Sequence, residues 1–172
     1  MSEELPQVMI AQMEKLGAAL LSFAKEHRDA PLGTLEQAVP ESVRSLLPRL
    51  LEVVLQTSAT NLQPRLSQLR PLCPDCGRRT KVQSWRPRAV KTVCGPLNFE
   101  RPWYVCSHYQ RGFSPVDQTL GLQPRGRLSV GLREWLIGSG ATTSFAEAAY
   151  WLEKLTGLAV SAETVRQQTE ER

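Results

Sequence analysis

The chain has 172 residues, 41% of them hydrophobic, and its 21 basic and 17 acidic residues give a formal net charge of +4. This length allows one ordinary domain or two to three small ones. No run approaches the roughly 18 consecutive apolar residues that a transmembrane helix needs, and the acidic start Met1-Ser-Glu-Glu4 lacks the basic flank of a secretory signal. We therefore expect a soluble cytoplasmic protein without membrane contact.

The N-terminal segment, residues 1–63, has the pattern of amphipathic helices. Residues 5–28 carry apolar side chains at helical spacing, which predicts a first helix. Thr34-Leu-Glu-Gln37 has the pattern of a capping box, and residues 41–63 predict a second helix after Pro40, with a kink or break at Pro48. Helices this apolar need a packing partner. Two alternatives stay open: an intramolecular helical hairpin, or an arm that contacts a second copy or a nucleoprotein partner.

The four cysteines include Cys73-Pro-Asp-Cys76-Gly77, a tight turn that we call the first knuckle. Two thiols at this spacing form half of a tetrahedral zinc site. Cys106 begins a second knuckle, but Tyr109 stands where a matching spacing would place another cysteine. We predict zinc bound by Cys73, Cys76 and Cys106. His108 is the favoured fourth ligand and Cys94 the less favoured one; a water ligand and a site that has lost its metal are the remaining alternatives.

The middle segment, residues 64–122, begins with a basic linker over residues 64–72 and then has a residue pattern typical of β-strands. Strands are predicted at Lys81–Trp85, Ala89–Cys94 and Leu97–Val105, with a turn at Gly95-Pro96. An order of knuckle, hairpin and knuckle is typical of a zinc ribbon.

Positive charge is concentrated around this module, because residues 61–130 contain 12 basic and only 3 acidic residues. Such a concentration predicts contact with nucleic acid. The candidate phosphate-contacting residues are Arg78, Arg79, Lys81, Arg86, Arg88 and Lys91. The interleaved aromatic residues, Trp85, Phe99, Trp103 and Tyr104, either stack on bases or fill a thin core.

The C-terminal segment, residues 123–172, predicts three helices. The first covers about 128–137, the second follows Ser144 and ends at Gly157, and the third is capped by Ser161. A glycine-bearing short turn followed by a polar capped helix is typical of a helix-turn-helix motif. The candidate DNA-contacting residues of the last helix are Ser161, Thr164, Arg166, Gln167 and Gln168.

No catalytic signature is present, so we expect a protein that is not an enzyme and has no catalytic residues. Asp117 is interpreted as a turn or helix-cap residue. The predicted fold is mainly α with a small β zinc-ribbon-like module, arranged as N-terminal helices, ribbon and C-terminal helix-turn-helix.

The order of these elements resembles the N-terminal portion of bacterial insertion-sequence transposases of the Kra type. The resemblance covers roughly residues 35–172. The order of the motifs taken together is more specific than any single motif. The matching segments are Cys73-Pro-Asp-Cys76-Gly77, Arg101-Pro-Trp-Tyr104-Val-Cys106, Gly112-Phe113-Ser-Pro115-Val-Asp117, Leu120-Gly121-Leu122, Ser144-Phe145 with Ala148 and Leu152, and Val160-Ser161-Ala-Glu-Thr164-Val165.

The chain departs from the family pattern at two places. Tyr109 replaces the last cysteine, and the sequence ends at Arg172, before the RNase H-like domain that carries the family's acidic catalytic residues. The resemblance implies a nucleoid-associated protein that binds double-stranded DNA at transposon ends and lacks the nuclease. A stand-alone transcriptional regulator or repressor is one alternative. A protein-interaction adaptor of a larger nucleoprotein assembly is another.

Overall fold

The computed structural model describes residues 4–68 and 70–170, with side chains described for 7–55 and 70–170. Within these residues the protein is mixed α/β, with six helices and one small antiparallel sheet. The side chain of Leu5, in the first predicted helix, and Leu69, in the predicted linker, lie outside the described part. Among the described helices, none has the length and apolar character needed to cross a membrane.

Two long helices form the N-terminal segment, α1 at Glu4–Glu26 and α2 at Leu32–Gln68, and they pack against each other. Helix α2 begins directly after Pro31, whose carbonyl oxygen accepts hydrogen bonds from the backbone N–H groups of Thr34 at 2.9 Å and Leu35 at 3.4 Å. Thr34 therefore lies inside the helix, and the predicted capping box at this residue is wrong.

Helix α2 is continuous for 37 residues through Pro40 and Pro48. The predicted start after Pro40 and the alternative of a break at Pro48 are therefore wrong, and the predicted linker is helical as far as Gln68. A proline inside a helix costs about 3 kcal/mol, so packing must offset this cost. Pro48 packs tightly against Gly95 at the turn of the β-hairpin, and α2 also contacts α1.

The sheet has the order β1–β2–β3, with β1 at Lys81–Thr92, β2 at Gly95–Val105 and β3 at Gly112–Phe113. The two predicted strands before the turn merge into β1, which runs through Pro87 opposite Glu100. Proline is tolerated here because β1 is an edge strand, where its missing N–H need not serve a second neighbour. The pairing shifts by one residue between Val82 and Ser84, which marks a bulge.

Four helices follow the sheet: α3 at Pro115–Thr119, α4 at Val130–Gly140, α5 at Phe145–Thr156 and α6 at Ala162–Glu170. The last three pack around a core that consists of Leu132, Leu136, Ala148, Ala149 and Val165. Ser144 caps α5 and Gly157 ends it in the left-handed conformation, as the sequence predicts. Helix α4 extends three residues beyond its predicted end, to Gly140, where a side chain would clash with α6.

The three predicted segments contact one another through side chains of the hairpin and of α2. Val93, at the β1–β2 turn, packs against the C-terminal core. Arg44 of α2 donates a 2.6 Å hydrogen bond from Nη2 to the carbonyl oxygen of Leu155. Helix α2 therefore lies against both the hairpin and the end of α5.

Candidate functional site

The first knuckle is closed by backbone hydrogen bonds around Cys73. The Cys73 N–H donates to the Arg78 carbonyl oxygen at 2.8 Å, and the Gly77 N–H donates to the Cys73 carbonyl oxygen at 2.9 Å. Gly77 has a φ of 68°, a left-handed conformation that glycine adopts without steric cost. The local sequence thus accounts for this turn.

The second knuckle, residues 106–111, repeats this bonding pattern. The Cys106 N–H donates to the Arg111 carbonyl oxygen at 3.0 Å, and the Gln110 N–H donates to the Cys106 carbonyl oxygen at 2.8 Å. Gln110 has a φ of 52° and takes the place that Gly77 occupies in the first turn. A non-glycine residue in this region is uncommon, so the surrounding bonds hold the second turn in a conformation that its sequence does not favour.

The equivalence of the two knuckles identifies the structural counterpart of each cysteine. Cys76 is the third residue after Cys73, and Tyr109 is the third residue after Cys106. Tyr109 therefore occupies the position of a second knuckle cysteine. Its side chain is 48% exposed and its ring lies edge-on to that of His108.

Three cysteines meet between the knuckles. The Sγ atoms of Cys73, Cys76 and Cys106 all lie within 4.8 Å of one another, and those of Cys76 and Cys106 are 3.5 Å apart. A tetrahedral ion with metal–sulfur distances of about 2.3 Å places its ligands about 3.8 Å apart. The group could therefore hold a metal ion.

Neither His108 nor Cys94 belongs to this group among the described residues. His108 is exposed in the second knuckle, one residue before Tyr109. Cys94 is half-buried at the hairpin turn, where its N–H donates to Thr92 Oγ1 at 3.1 Å. The identity of a fourth ligand stays a prediction.

The electrostatic environment favours a thiolate at Cys106. Backbone hydrogen bonds, foremost from Tyr109 and also from His108, lower its pKa to about 7, although desolvation acts in the opposite direction. The pKa of Cys76 is affected most by a backbone hydrogen bond from Arg78, which lowers it, but desolvation and the neighbouring thiols shift it upward overall. Since metals bind thiolates, the lowered pKa of Cys106 prepares this thiol for ligation.

A buried ion pair lies beside the knuckles. Arg101 Nε of β2 is 2.9 Å from Asp117 Oδ1 of α3, and both side chains are more than nine-tenths buried. The interpretation of Asp117 as a turn or cap residue is wrong, since the residue before α3 is Ser114 and Asp117 lies inside the helix. Burial lowers the pKa of Arg101 and raises that of Asp117, while each charge opposes the shift of the other.

Five of the six predicted phosphate-contacting residues are exposed: Arg78 and Arg79 directly after the first knuckle, and Lys81, Arg86 and Lys91 on β1. Arg88 is half-buried, and its Nη2 donates to the carbonyl oxygens of Gln123 at 2.8 Å and Gly126 at 2.6 Å. Arg88 therefore fastens the segment after α3 to β1.

Two aromatic residues of the module, Tyr104 and Trp103, are buried or contact other side chains of the protein. Tyr104 is completely buried. The half-buried ring of Trp103 has the guanidinium of Arg86 at 4.8 Å and that of Arg101 at 4.9 Å from its centroid. Trp85 is 46% exposed.

Helix α6 has its predicted cap and a network of charged side chains. Ser161 Oγ accepts from the Thr164 N–H at 3.1 Å and bonds to Thr164 Oγ1 at 2.9 Å. Arg166 pairs with Glu163 at 2.7 Å and also with Glu170. Gln167 Nε2 donates to Glu163 Oε1 at 3.1 Å. Ser161, Thr164, Arg166 and Gln167 are thus occupied by contacts within the helix.

The basic strand β1 reaches the turn that precedes α6. Lys91 Nζ lies 3.5 Å from the carbonyl oxygen of Ala159, two residues before the cap Ser161. The backbone of Lys91 also accepts from Ser129 at 2.9 Å and donates to Arg127 at 2.7 Å. These bonds bring Arg125 and Arg127, absent from the predicted set, next to β1. The only feature of the sequence that indicates a role for these two arginines is the concentration of positive charge in residues 61–130.

The chain belongs to UPF0236, an uncharacterised protein family whose profile matches residues 36–172. No match to a curated protein was found.

Proposed function

We propose that this member of UPF0236 binds double-stranded DNA, with α6 in the major groove and with the cations of β1 and those directly after the first knuckle on the phosphate backbone. The observation that carries this proposal is the contact between Lys91 and the turn before α6. A cation beside the N-terminal end of an inserted helix is well placed to contact a phosphate at the edge of the groove. The resemblance to Kra-type transposases suggests transposon ends as the target. A transcriptional regulator would use the same surfaces.

The proposal treats α5, the 157–161 turn and α6 as a helix-turn-helix motif. Tight packing of α6 against α4 and α5 supports it, because a helix must be held rigidly to contact bases. Gln167 and Gln168 are suited to paired contacts with adenine. Arg166 would first have to leave both Glu163 and Glu170, and Gln167 only its single bond to Glu163, so we assign Arg166 the smaller role.

We further propose that the metal is zinc, held by Cys73, Cys76 and Cys106 with His108 as the favoured fourth ligand. Thiolate ligands in a tetrahedral arrangement suit zinc. The ion would supply no reaction; it would join the two knuckles and contribute to folding free energy. The proximity of the three sulfur atoms supports this proposal.

Phosphate contact is tested by the salt dependence of binding to duplex DNA, measured by fluorescence anisotropy on the full chain. Replacing Arg78, Arg79 and Lys81 together with glutamine should weaken binding and flatten the plot of log affinity against log salt by about 0.9 for each lost contact. The control replaces Lys15 and Lys25 of α1 and Arg28 of the turn after it, three exposed cations, and should leave the slope unchanged. Equal slopes for both variants, or affinity indifferent to salt, contradict the proposal.

Base contact is tested by selecting preferred sequences from a random duplex pool. Gln167→Ala and Gln168→Ala should each relax preference at particular base pairs by about 1–3 kcal/mol, while binding to unrelated DNA stays the same. Gln37→Ala, on the exposed side of α2, is the control. Wild-type preference in both α6 variants would show that this helix does not contact bases.

The alternative of a protein-interaction adaptor is favoured by the apolar surface of the N-terminal hairpin. Val8, Ile10, Met13 and Leu21 of α1 are 46–64% exposed. Light scattering should show whether the chain forms a dimer that Ile10→Glu with Met13→Glu converts to a monomer. A wild-type monomer would remove the second copy as the partner of this surface.

A further inference from the structure

A basic cavity lies between the β-hairpin and the segment that connects α3 to α4. It has a volume of about 600 Å³. Its walls come from the second half of β1, the beginning of β2 and residues 124–127. The charged residues that line it are Arg88, Lys91, Arg101, Arg125 and Arg127.

The cavity carries a strong excess of positive charge. Five of its lining residues are cations and, among the described residues that line it, none is acidic. Asp117 pairs with Arg101 from outside the lining and compensates one of these charges. Like charges held this close repel one another, and an anion between them relieves that repulsion.

Two of these arginines have buried nitrogen atoms that lack a hydrogen-bond acceptor among the described residues. They are Nη1 of Arg101 and Nε of Arg88. Arg101 is only 5% exposed. A buried donor without an acceptor is costly, and more so when it is charged. Both nitrogen atoms are closed to solvent, so they add positive charge to the wall, and the hydrogen bonds to an oxyanion would come from the exposed cations Lys91, Arg125 and Arg127.

The walls of the cavity are tied together before any ligand arrives. Arg88 Nη2 donates to the carbonyl oxygens of Gln123 and Gly126. The Lys91 backbone bonds to Arg127 and Ser129 on the same segment. This segment is therefore held against β1 by four hydrogen bonds, and binding need not order it.

We propose that this cavity is a phosphate-binding site and that its ligand is a phosphodiester group of the DNA backbone. The tetrahedral oxyanion of a phosphate offers several acceptors, and arginine presents planar pairs of donors that match them. Lys91 lines the cavity and also lies beside Ala159, so the bound phosphate is next to the turn before α6. The choice of DNA as the source of the phosphate rests on the proposed function. The inference that the cavity binds a phosphate group rests on the residues of the cavity and is independent of that function.

The test uses the full chain with Arg125 and Arg127 both replaced by glutamine. Both residues are exposed, so the fold should survive. The control is Lys25→Gln with Arg28→Gln, which removes the same charge from the end of α1 and the turn after it. Duplex DNA affinity should fall at least tenfold in the Arg125 and Arg127 variant and its salt slope should drop by about 2, at about 0.9 per contact. The control should change neither quantity.

Inorganic phosphate provides a second readout. At constant ionic strength it should raise the Tm of the wild type and the control above the value in chloride, because a ligand of the folded state stabilises it. This increase should disappear in the Arg125 and Arg127 variant.

The two readouts separate this inference from the proposed function. If the Arg125 and Arg127 variant keeps wild-type DNA affinity, the cavity does not contact the DNA backbone, although the protein still binds DNA. A phosphate-dependent rise in Tm in a wild-type chain that binds no DNA would assign the site to a free phosphate compound and overturn its assignment to DNA.

Discussion

Arg101 of β2 and Asp117 of α3 form an ion pair that is more than nine-tenths buried on both sides, with Arg101 Nε 2.9 Å from Asp117 Oδ1. The pair connects the middle strand of the sheet to the helix that follows the second knuckle. Arg101 also lines the basic cavity and contacts the ring of Trp103. A single buried arginine therefore belongs both to the interior and to the wall of the proposed phosphate site.

Asp117→Ala should destabilise the protein by about 3–5 kcal/mol, because it leaves the Arg101 charge buried without its partner. Urea unfolding followed by circular dichroism measures this difference. Glu52→Ala, which removes a 4.0 Å helical pair with the exposed Arg49, is the matched control and should cost less than about 1 kcal/mol. Equal losses in the two variants would show that burial of the Arg101 pair has no special energetic role.

Tyr109→Cys should increase metal retention, because it places a thiol at the position equivalent to Cys76 in a turn with the same backbone bonds. Competition with a chromophoric chelator measures the change in affinity. Ser107→Cys adds a thiol to the same knuckle at a non-equivalent position and serves as the control. If both variants gain affinity equally, the equivalence of the two knuckles does not determine ligand geometry.

Elemental analysis of purified ligand variants tests the ligand assignments. Cys76→Ser should lose the metal while Cys94→Ser keeps it, because only Cys76 belongs to the group of three thiols. His108→Ala should weaken retention more than Cys94→Ser does if His108 is the fourth ligand. A metal-free wild type, purified without chelators, would contradict the proposed centre.

The metal-free protein should titrate one thiol with a midpoint near pH 7, because backbone hydrogen bonds lower the pKa of Cys106 to about 7 from an ordinary 9.0. Since the folded pKa is the lower one, this contribution to stability is complete above pH 9.0 and is lost as the pH falls through about 7. Thiolate absorbance in the ultraviolet follows the titration, and denaturation at several pH values follows the stability. Cys106→Ser should abolish the transition; its persistence would assign it to another group.

Gly140→Ala should destabilise the C-terminal helices by about 1–3 kcal/mol through overpacking. A Cβ at this position would lie 2.9 Å from Val165 Cγ1 and collide with Thr169 Oγ1. Gly138→Ala, two residues earlier in α4, meets no atom within 4 Å and should gain up to about 1 kcal/mol from helix propensity. Thermal unfolding measures both, and a gain in both variants would contradict the close approach of α4 and α6.

Several features determined by short-range chemistry are predicted correctly from the sequence, although the capping box at Thr34 is not, because α2 begins two residues before it. The caps at Ser144 and Ser161 depend on residues three positions apart, and both occur as predicted. The first knuckle likewise depends on Cys73, Cys76 and Gly77 within five residues. The convergence of Cys106 on this turn follows once the strands between them pair as a hairpin.

Features determined by distant contacts could not be predicted. Pro48 remains helical because it packs on Gly95, and Pro87 remains in a strand because β1 is an edge strand of the sheet that the described residues form. Asp117 gives no local sign of pairing with Arg101. Arg125 and Arg127 become part of a site only through bonds between their segment and Lys91. In each case the deciding partner is remote along the chain.

The hydrogen bond from Arg44 to Leu155 spans 111 residues, which affects the order of events during synthesis. Translation at roughly 5–20 residues per second separates the appearance of these two residues by about 5 to 20 seconds. The N-terminal hairpin can pair locally in that interval, but its contact with the end of α5 must await the last third of the chain. Docking of the C-terminal helices onto α2 is therefore a late step, and contacts this distant slow the folding of the whole protein.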